Sequence, residues 1–211
     1  MTELTQLLSR EREWMLFVDG ENLTKRGQET LKAAGVTLKA GPHWRRDVFL
    51  WLPDLEASWA FFARQGSAFM GQEWRGPRVR TATRAHYYTS STSDEPEWTQ
   101  TRLALRAMGF EPRLFKRAAG RSKAVDVALA TDVLTLASEG RYEVAVIFAG
   151  DGDYVPLVEA VKRIGLHVVV GFFEENGLNP ELRIAADDYV DLTDDFVSRW
   201  RQEMSRPTTP D

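Results

Sequence analysis

Two short acidic turns each follow an apolar run, and carboxylates placed in this way are suited to binding a cation. The run Val144 to Ala149 stops at Gly150-Asp151-Gly152-Asp153, and the run Trp14 to Val18 stops at Asp19-Gly20-Glu21-Asn22. Adjacent carboxylates repel each other unless something cationic lies between them. Hard divalent ions prefer oxygen ligands and can activate water beside a phosphate. The spacing therefore predicts a cation site that acts on a phosphate-bearing substrate.

A third acidic candidate, Asp126, lies in the first turn of a helix predicted over residues 124–138. A carboxylate is favoured at a helix N-terminus in any case, which is the structural alternative for Asp126. Asp132 comes roughly 9 Å further along the axis and about 120° around it, so the two acids are not expected to share one ion. We take Asp126 as a site candidate and Asp132 as a buried, hydrogen-bonded structural acid. For Asp19 the structural alternative is a turn residue or a helix cap.

Strands and helices that alternate along the chain must position these acids. Apolar runs predict strands near 14–18, 47–52, 84–89, 112–116, 144–149, 168–170 and 189–192. Helical periodicity predicts helices near 22–34, 96–108 and 124–138, one between the acidic turn and residue 168, and one that ends near 204. Such alternation predicts an α/β fold, a three-layer sandwich with a central, mainly parallel sheet. The carboxyl ends of its strands would border a ligand crevice.

Composition limits the class of protein. The chain has 211 residues, of which 43% are hydrophobic and 27% charged, as expected for a single globular domain over 1–211. It has no cysteine, which excludes disulfides, zinc–thiolate sites and thiol nucleophiles. Its apolar stretches are too short to span a bilayer, and the first residues carry charges where a signal peptide needs an apolar core. We therefore expect a soluble cytoplasmic protein without membrane contact.

Charge is distributed unevenly around a net value of −4. The stretch from Arg75 to Lys123 is rich in arginine and lysine, whereas aspartates are concentrated near the C-terminus at Asp187, Asp188, Asp191, Asp194 and Asp195. This asymmetry suits a basic groove beside an acidic metal cluster. A solvated surface of mixed charge is the alternative.

Aromatic residues crowd into the segment 44–74, within the least regular part of the sequence. They are Trp44, Phe49, Trp51, Trp59, Phe61, Phe62, Phe69 and Trp74. We expect most of them to lie in the core. The exposed remainder could stack RNA bases, or could form the surface of a protein partner or a homodimer.

Several sequence blocks resemble the signature blocks of NYN domains, which are PIN-like, metal-dependent ribonuclease domains. The blocks are VDGEN at 18–22, KAVDVALATDVLTLA at 123–137, AGDGDYVPLVEAVKRIGLHVVVGF at 149–172 and ELRIAADDYVDL at 181–192. The resemblance covers roughly residues 14–35 and 83–192, in the family's order. It implies a Rossmann-like, PIN-like α/β fold whose acidic sheet edge binds Mg²⁺ or Mn²⁺ and cuts RNA.

Carried over by position, the resemblance implies the acidic set Asp19, Asp126, Asp151 and Asp153, with Asn22 as polar support. From their place just before Asp126 in the sequence, Arg121 and Lys123 are predicted to flank the pocket and hold phosphates. The expected reaction is hydrolysis of single-stranded or structured RNA, by endonucleolytic cleavage. His43, His86 and His167 lie away from the motifs, so a histidine-based mechanism is not expected.

The chain departs from the family pattern in two places. The family often has a serine before the GDGD turn, where this chain has Ala149, so a hydroxyl that could orient water or phosphate is absent. Residues 38–80 match nothing in the family and are interpreted as an aromatic-rich insertion or a remodelled segment, and the tail 206–211 is expected to be frayed.

Two other functions remain open. The domain could bind RNA or a protein without catalysis, its acids kept for folding or for a structural metal. A haloacid-dehalogenase-like phosphatase also has a GDG-D motif, but it needs a nucleophilic aspartate where this chain has Phe17.

Overall fold

The computed structural model describes residues 12–39, 41–57, 68–69, 72–73, 82–92, 95–117 and 124–206. Its strands are β1 (Trp14–Asp19), β2 (Trp44–Arg45), β3 (Phe49–Leu50), β4 (Ala68–Phe69), β5 (Gln72–Glu73), β6 (Arg84–Ser91), β7 (Glu111–Lys116), β8 (Val144–Phe148), β9 (His167–Phe172) and β10 (Asp188–Asp191). Its α-helices are α1 (Gly20–Ala33), α2 (Glu95–Ala107), α3 (Ala124–Ser138), α4 (Val155–Arg163), α5 (Pro180–Ala185) and α6 (Thr193–Ser205). A 3₁₀ turn, Gly152–Tyr154, precedes α4. Within these ranges, none of the helices has the length and apolar character needed to cross a membrane.

Six strands form the central sheet in the order β10-β9-β8-β1-β6-β7, and every neighbouring pair is parallel. From β1 the chain adds β6 and β7 on one side. It then returns to add β8, β9 and β10 on the other side. Doubly wound α/β folds have this order, and they bind ligands in the crevice where the order reverses. The predicted three-layer α/β architecture is confirmed, and its reversal lies between β1 and β8.

The interior strands are apolar along their length because helices cover both faces of the sheet. Within β1, Trp14, Leu16 and Val18 belong to one core cluster, whereas Met15 and Phe17 belong to the other. This alternation follows from the two-residue period of a strand. It turns Asp19, two residues after Phe17, toward the second cluster.

The helices divide between the two faces. α1, α2 and α6 cover the first cluster, for example through Leu23 and Trp200. α3, α4 and α5 cover the second cluster, for example through Leu129 and Val158. The functional consequence is that the chain leaves β1 toward one face and leaves the end of β8 toward the other.

The strand predicted over 47–52 is shorter than expected. Only Phe49–Leu50 is a strand, and it pairs antiparallel with Trp44–Arg45 outside the central sheet. Between the two, Asp47 has a φ of 57°, a left-handed conformation that belongs to a turn and not to a strand.

The sequence pattern gave no indication of α5, because six residues are too few to show a helical period. Local chemistry explains the helix. The side chain of Asn179 accepts hydrogen bonds from the backbone of Glu181 and Leu182, and Pro180 occupies the first turn.

The described aromatic residues of the segment 44–74 pack inward, as predicted for most of that set. Phe49 and Trp51 are buried and Trp44 is half-buried. The Trp51 ring meets Phe110 edge-on at a centroid distance of 4.7 Å. Outside the described side chains are Trp59, Phe61, Phe62, Phe69 and Trp74. Of the tail predicted to be frayed, only Arg206 is described, and it forms ion pairs with Glu203 and Asp54.

Gly20, the first residue of α1, lies where this helix packs closely against the sheet. A Cβ at this position would lie 2.7 Å from the backbone oxygen of Tyr88 and would collide with the ring of Tyr87. We expect Gly20→Ala to lower the free energy of unfolding by about 1–3 kcal/mol, the usual cost of overpacking. Urea unfolding measures this loss. Gly41→Ala is the control, because a Cβ there meets only a backbone oxygen at 3.8 Å; equal stability of the two variants would contradict the prediction.

Candidate functional site

The acidic residues lie at the carboxyl ends of β1 and β8, which are neighbours in the sheet. Val18 is level with Phe148, so both strands reach the same edge. Asp19 is the last residue of β1, and Asp151 follows the end of β8. Because the connections to α1 and α4 diverge to opposite faces, a crevice opens between them.

Asp19 is a buried carboxylic acid that is only 3% exposed. Its Oδ1 accepts a hydrogen bond from the backbone nitrogen of Asn22 at 3.0 Å, which makes it the N-cap of α1. Its Oδ2 accepts from the hydroxyl of Tyr154 at 3.0 Å. Burial raises the pKa of Asp19 to about 7 against the lowering effect of the Asn22 bond, and the charge of Asp126 raises it further. Asp19 therefore does cap α1, as the structural alternative predicted, and the same side chain also lines the cleft.

Tyr154 links two of the predicted acids. Its hydroxyl lies 3.0 Å from Asp19 Oδ2 and 3.1 Å from Asp126 Oδ1. A tyrosine hydroxyl has one proton and can donate to only one carboxylate at a time. Two such contacts fit a pair of acids that holds an additional proton or a cation. Burial, followed by the charges of Asp19 and Asp126, raises the pKa of Tyr154 far above its usual value, so the hydroxyl stays protonated.

Asp126 reaches the cleft from the first turn of α3. Although Asp126 is exposed as a whole residue, partial burial of its carboxyl group is the main reason why its pKa is raised, and the Tyr154 hydrogen bond opposes this effect. The negative charges of Asp151, Glu21 and Asp153 raise it further. Asp126 therefore lies near several other carboxylates that oppose its ionisation. Asp132, by contrast, accepts from Tyr88 at 2.9 Å and pairs with Arg113 at 3.3 Å, away from the cleft, in the structural role predicted for it, although it is only partly buried.

The turn at 150–153 is held in place by tight packing. Asp151 Oδ1 accepts from the backbone nitrogen of Asp153 at 3.2 Å and so caps the 3₁₀ turn. A Cβ on Gly150 would collide with the ring of Phe172. The backbone oxygen of Gly150 accepts from Asn179 at 2.8 Å. Glycine is needed at position 150 because the turn lies directly on its neighbours.

These side chains surround a cleft of about 830 Å³, a size that suits a nucleotide-sized ligand. Among the residues that line it are the predicted Asp19, Asn22, Asp126, Asp151 and Asp153. The structure thus brings all four predicted aspartates and the asparagine together. Arg121 and Lys123 lie outside the described residues.

Several lining residues were not among the predicted site residues. The guanidinium of Arg117 donates from Nε to Ser90 Oγ at 2.9 Å and lies 3.5 Å from Glu21 Oε1, to which Ser90 also donates. Lys25 and Arg46 line the same cleft. The VDGEN block contains Glu21 and the basic stretch contains Arg117, but no local spacing indicates that they meet. Tyr154 is not a lining residue, but it directly follows the acidic turn and contacts two of the lining aspartates. It was missed because an aromatic residue there fits a core position equally well.

The donor chemistry of the cleft fits Mg²⁺ or Mn²⁺. The predicted ligands are carboxylates, and none of the four aspartates forms an ion pair with a residue that the structure describes. The Oδ1 of Asn22 is buried and, among the same residues, has no hydrogen-bond partner. Across the described ranges, no three His, Cys, Asp or Glu side chains form a ready-made metal cage. Mg²⁺ commonly keeps several waters and binds through one or two carboxylates and substrate phosphates, which is compatible with this arrangement.

The histidines lie outside this cleft, as predicted. His167 Nε2 is 2.6 Å from Asp188 Oδ2 at the start of β9. His86 is buried and stacks on Phe17 at a centroid distance of 5.5 Å, and burial lowers its pKa. Four of the aspartates near the C-terminus also have partners outside the cleft: Asp187 pairs with Lys162, Asp188 with His167 and Asp195 with Arg199, and Asp191 accepts from the backbone of Thr193.

Comparison with known proteins gives a family and a fold. The family model described as NYN domain matches residues 13–193. A search of curated proteins finds no match. A crystal structure of a protein of unknown function from Vibrio parahaemolyticus is similar, with a TM-score of 0.59 and 22% identity over 88% of this chain and 96% of that one. At this identity the structural likeness concerns the fold alone.

The raised pKa of Asp19 predicts how stability depends on pH. An acid whose pKa is raised on folding binds more protons in the native state, so stability falls as pH rises from about 4 to about 7. The loss attributable to Asp19 is on the order of 4 kcal/mol. Asp19→Asn removes this titration and keeps an oxygen that can cap α1. Urea unfolding at pH 4 and pH 8 should therefore show a steeper decline for the wild type than for the variant, and parallel declines would contradict the assignment.

Proposed function

The chain belongs to the NYN domain family of PIN-like nucleases, and we propose that it is a metal-dependent ribonuclease that hydrolyses RNA phosphodiester bonds as an endonuclease. The observation that supports this proposal most strongly is the convergence of Asp19 and Asp126 on the Tyr154 hydroxyl, at 3.0 and 3.1 Å, beside Asp151 and Asp153. Carboxylates from separate elements meet at the crevice without a described cationic partner. A cation-binding role accounts for that arrangement.

The proposed chemistry assigns the four aspartates to Mg²⁺ or Mn²⁺. When bound, the ion would activate water and stabilise the negative charge that develops on the phosphate. Asp126, Asp151 and Asp153 would hold it from α3 and the acidic turn, and Asp19 from β1. The unpartnered Oδ1 of Asn22 could accept a hydrogen bond from an ordered water or from the 2′-hydroxyl of RNA.

Basic residues on the same cleft support an RNA substrate. Lys25, Arg46 and Arg117 line it together with the acids. We propose that they hold phosphates next to the scissile bond, together with Arg121 and Lys123 from the segment just before α3. The chain has alanine at position 149, where the family often has serine, and we propose that these basic groups orient the phosphate in place of the serine hydroxyl.

We propose single-stranded or structured RNA as the substrate and the cytoplasm as the compartment. A protein partner or a second copy could contact the segment 44–74. Phe49 and Trp51 are buried and are not available for such a contact, whereas Trp44 is half-buried.

A non-catalytic RNA- or protein-binding module is the second candidate. The observation in its favour is that the described ranges contain no preassembled group of three metal-ligating side chains. Cleavage and binding assays on the same preparation separate the two candidates. The phosphatase alternative finds no support, because Phe17 is wholly buried where that reaction needs a nucleophilic carboxylate.

Asp126→Asn tests catalysis. We expect Mn²⁺-dependent RNA cleavage to fall by more than about 100-fold, since even loss of an outer-shell partner of a metal ligand costs 10- to 100-fold. Asp132→Asn is the matched control, an aspartate on the same helix that lies outside the cleft, and it should retain activity. If Asp126→Asn cleaves RNA at the wild-type rate, Asp126 has no catalytic role.

Arg121→Ala and Lys123→Ala test whether these two side chains bind RNA phosphates. Each lost phosphate contact should reduce the slope of log affinity against log salt by about 0.7 for single-stranded RNA. Fluorescence anisotropy at several salt concentrations measures this slope. Arg141→Ala is the control, because Arg141 lies beyond the far end of α3 and is exposed. Unchanged affinity and slope in both test variants would exclude this role.

A further inference from the structure

We propose that Tyr154 is a positioning residue whose hydroxyl fixes the carboxylate of Asp126 beside that of Asp19, so that the pair binds a divalent cation. This inference rests on the metal site of the proposed function and extends it to a residue outside the aspartate set. It concerns the orientation of the ligands and assigns Tyr154 no contact with the reacting atoms.

The geometry of the hydroxyl supports this role. It is within hydrogen-bond distance of both carboxylates, at 3.0 Å from Asp19 Oδ2 and 3.1 Å from Asp126 Oδ1. Asp19 ends β1 and Asp126 begins α3, so their backbones belong to different elements. A single oxygen atom therefore bridges carboxylates from two separate elements.

Asp126 depends on this contact more than Asp19 does. Asp19 is buried and has a second hydrogen bond, from the backbone nitrogen of Asn22. Asp126 is exposed, and in the described part of the chain its side chain bonds only to Tyr154. Without the hydroxyl, an exposed aspartate in the first turn of a helix has several rotamers available. A bound cation would then have to order it.

Tyr154 is itself held firmly. Its side chain is 3% exposed, within the core cluster that contains Leu157 and Val158. Its backbone nitrogen donates to the oxygen of Asp151 at 3.2 Å. The turn that carries two of the acidic residues thus also places the hydroxyl that orients the others.

Phenylalanine at this position would keep the ring and its packing but lose the hydroxyl. Tyr88→Phe is the matched control. Tyr88 is also buried, on the same side of the sheet, and donates to an aspartate, Asp132, at 2.9 Å. That aspartate does not line the cleft. Both variants lose a tyrosine–aspartate hydrogen bond, but only in Tyr154→Phe does the affected aspartate line the cleft.

The test is isothermal titration of each protein with Mn²⁺ alone, without RNA, accompanied by thermal melting of the metal-free forms. We expect the Kd for Mn²⁺ to rise 10- to 100-fold in Tyr154→Phe, the usual effect of removing an outer-shell partner. The Kd of Tyr88→Phe should match that of the wild type. A Tyr154→Phe variant that binds Mn²⁺ as tightly as the wild type overturns the positioning role and leaves the metal site intact.

A different result is expected if the proposed metal site itself does not exist. A wild type that binds no Mn²⁺ overturns the metal site and the role of Tyr154 together. If Tyr154→Phe does not fold, the wild type and Tyr88→Phe are each titrated with Mn²⁺, and the change in near-ultraviolet absorbance of their tyrosines is compared. A tyrosine difference spectrum of equal size in both proteins supports the role of Tyr154, and its absence overturns it.

Discussion

Burial of the Asp19 carboxylate is the constraint on which the rest of the site depends. A carboxyl group removed from water requires donors or a cation. Asn22 and Tyr154 supply the donors, and they belong to the elements that follow β1 and β8. Satisfying one acid therefore ties the start of α1 and the turn before α4 to the end of the central strand. The other acids gather around an edge that is already fixed.

Much of this arrangement could be predicted from local sequence. The uninterrupted apolar runs of β1 and β8 indicated strands buried on both faces, and parallel strands bring their carboxyl ends to one edge. The acids that directly follow those runs were therefore placed correctly. Asp126 was separated from Asp132 by helical geometry alone, and their partners, Tyr154 and Tyr88, fit that division.

The remainder depends on contacts between residues far apart in the chain. Ser90 and Arg117 meet Glu21 across separations of 69 and 96 residues, and no local pattern encodes such meetings. Tyr154 has an apolar ring that suits the core and a polar tip that serves the cleft, and sequence periodicity detects only the ring. The start of a short helix such as α5 is determined by one capping side chain, Asn179, and periodicity in the sequence does not detect such a cap.

The strand order also governs when the cleft can exist during synthesis of the protein. β1 leaves the ribosome well before its sheet partners β6 and β8, which begin at Arg84 and Val144. Tyr154 comes 135 residues after Asp19. Contacts of such sequence separation form late, because a long loop must close before they contribute. A nascent chain that ends before the acidic turn carries Asp19 without the cleft, so the site is assembled only when most of the domain has emerged.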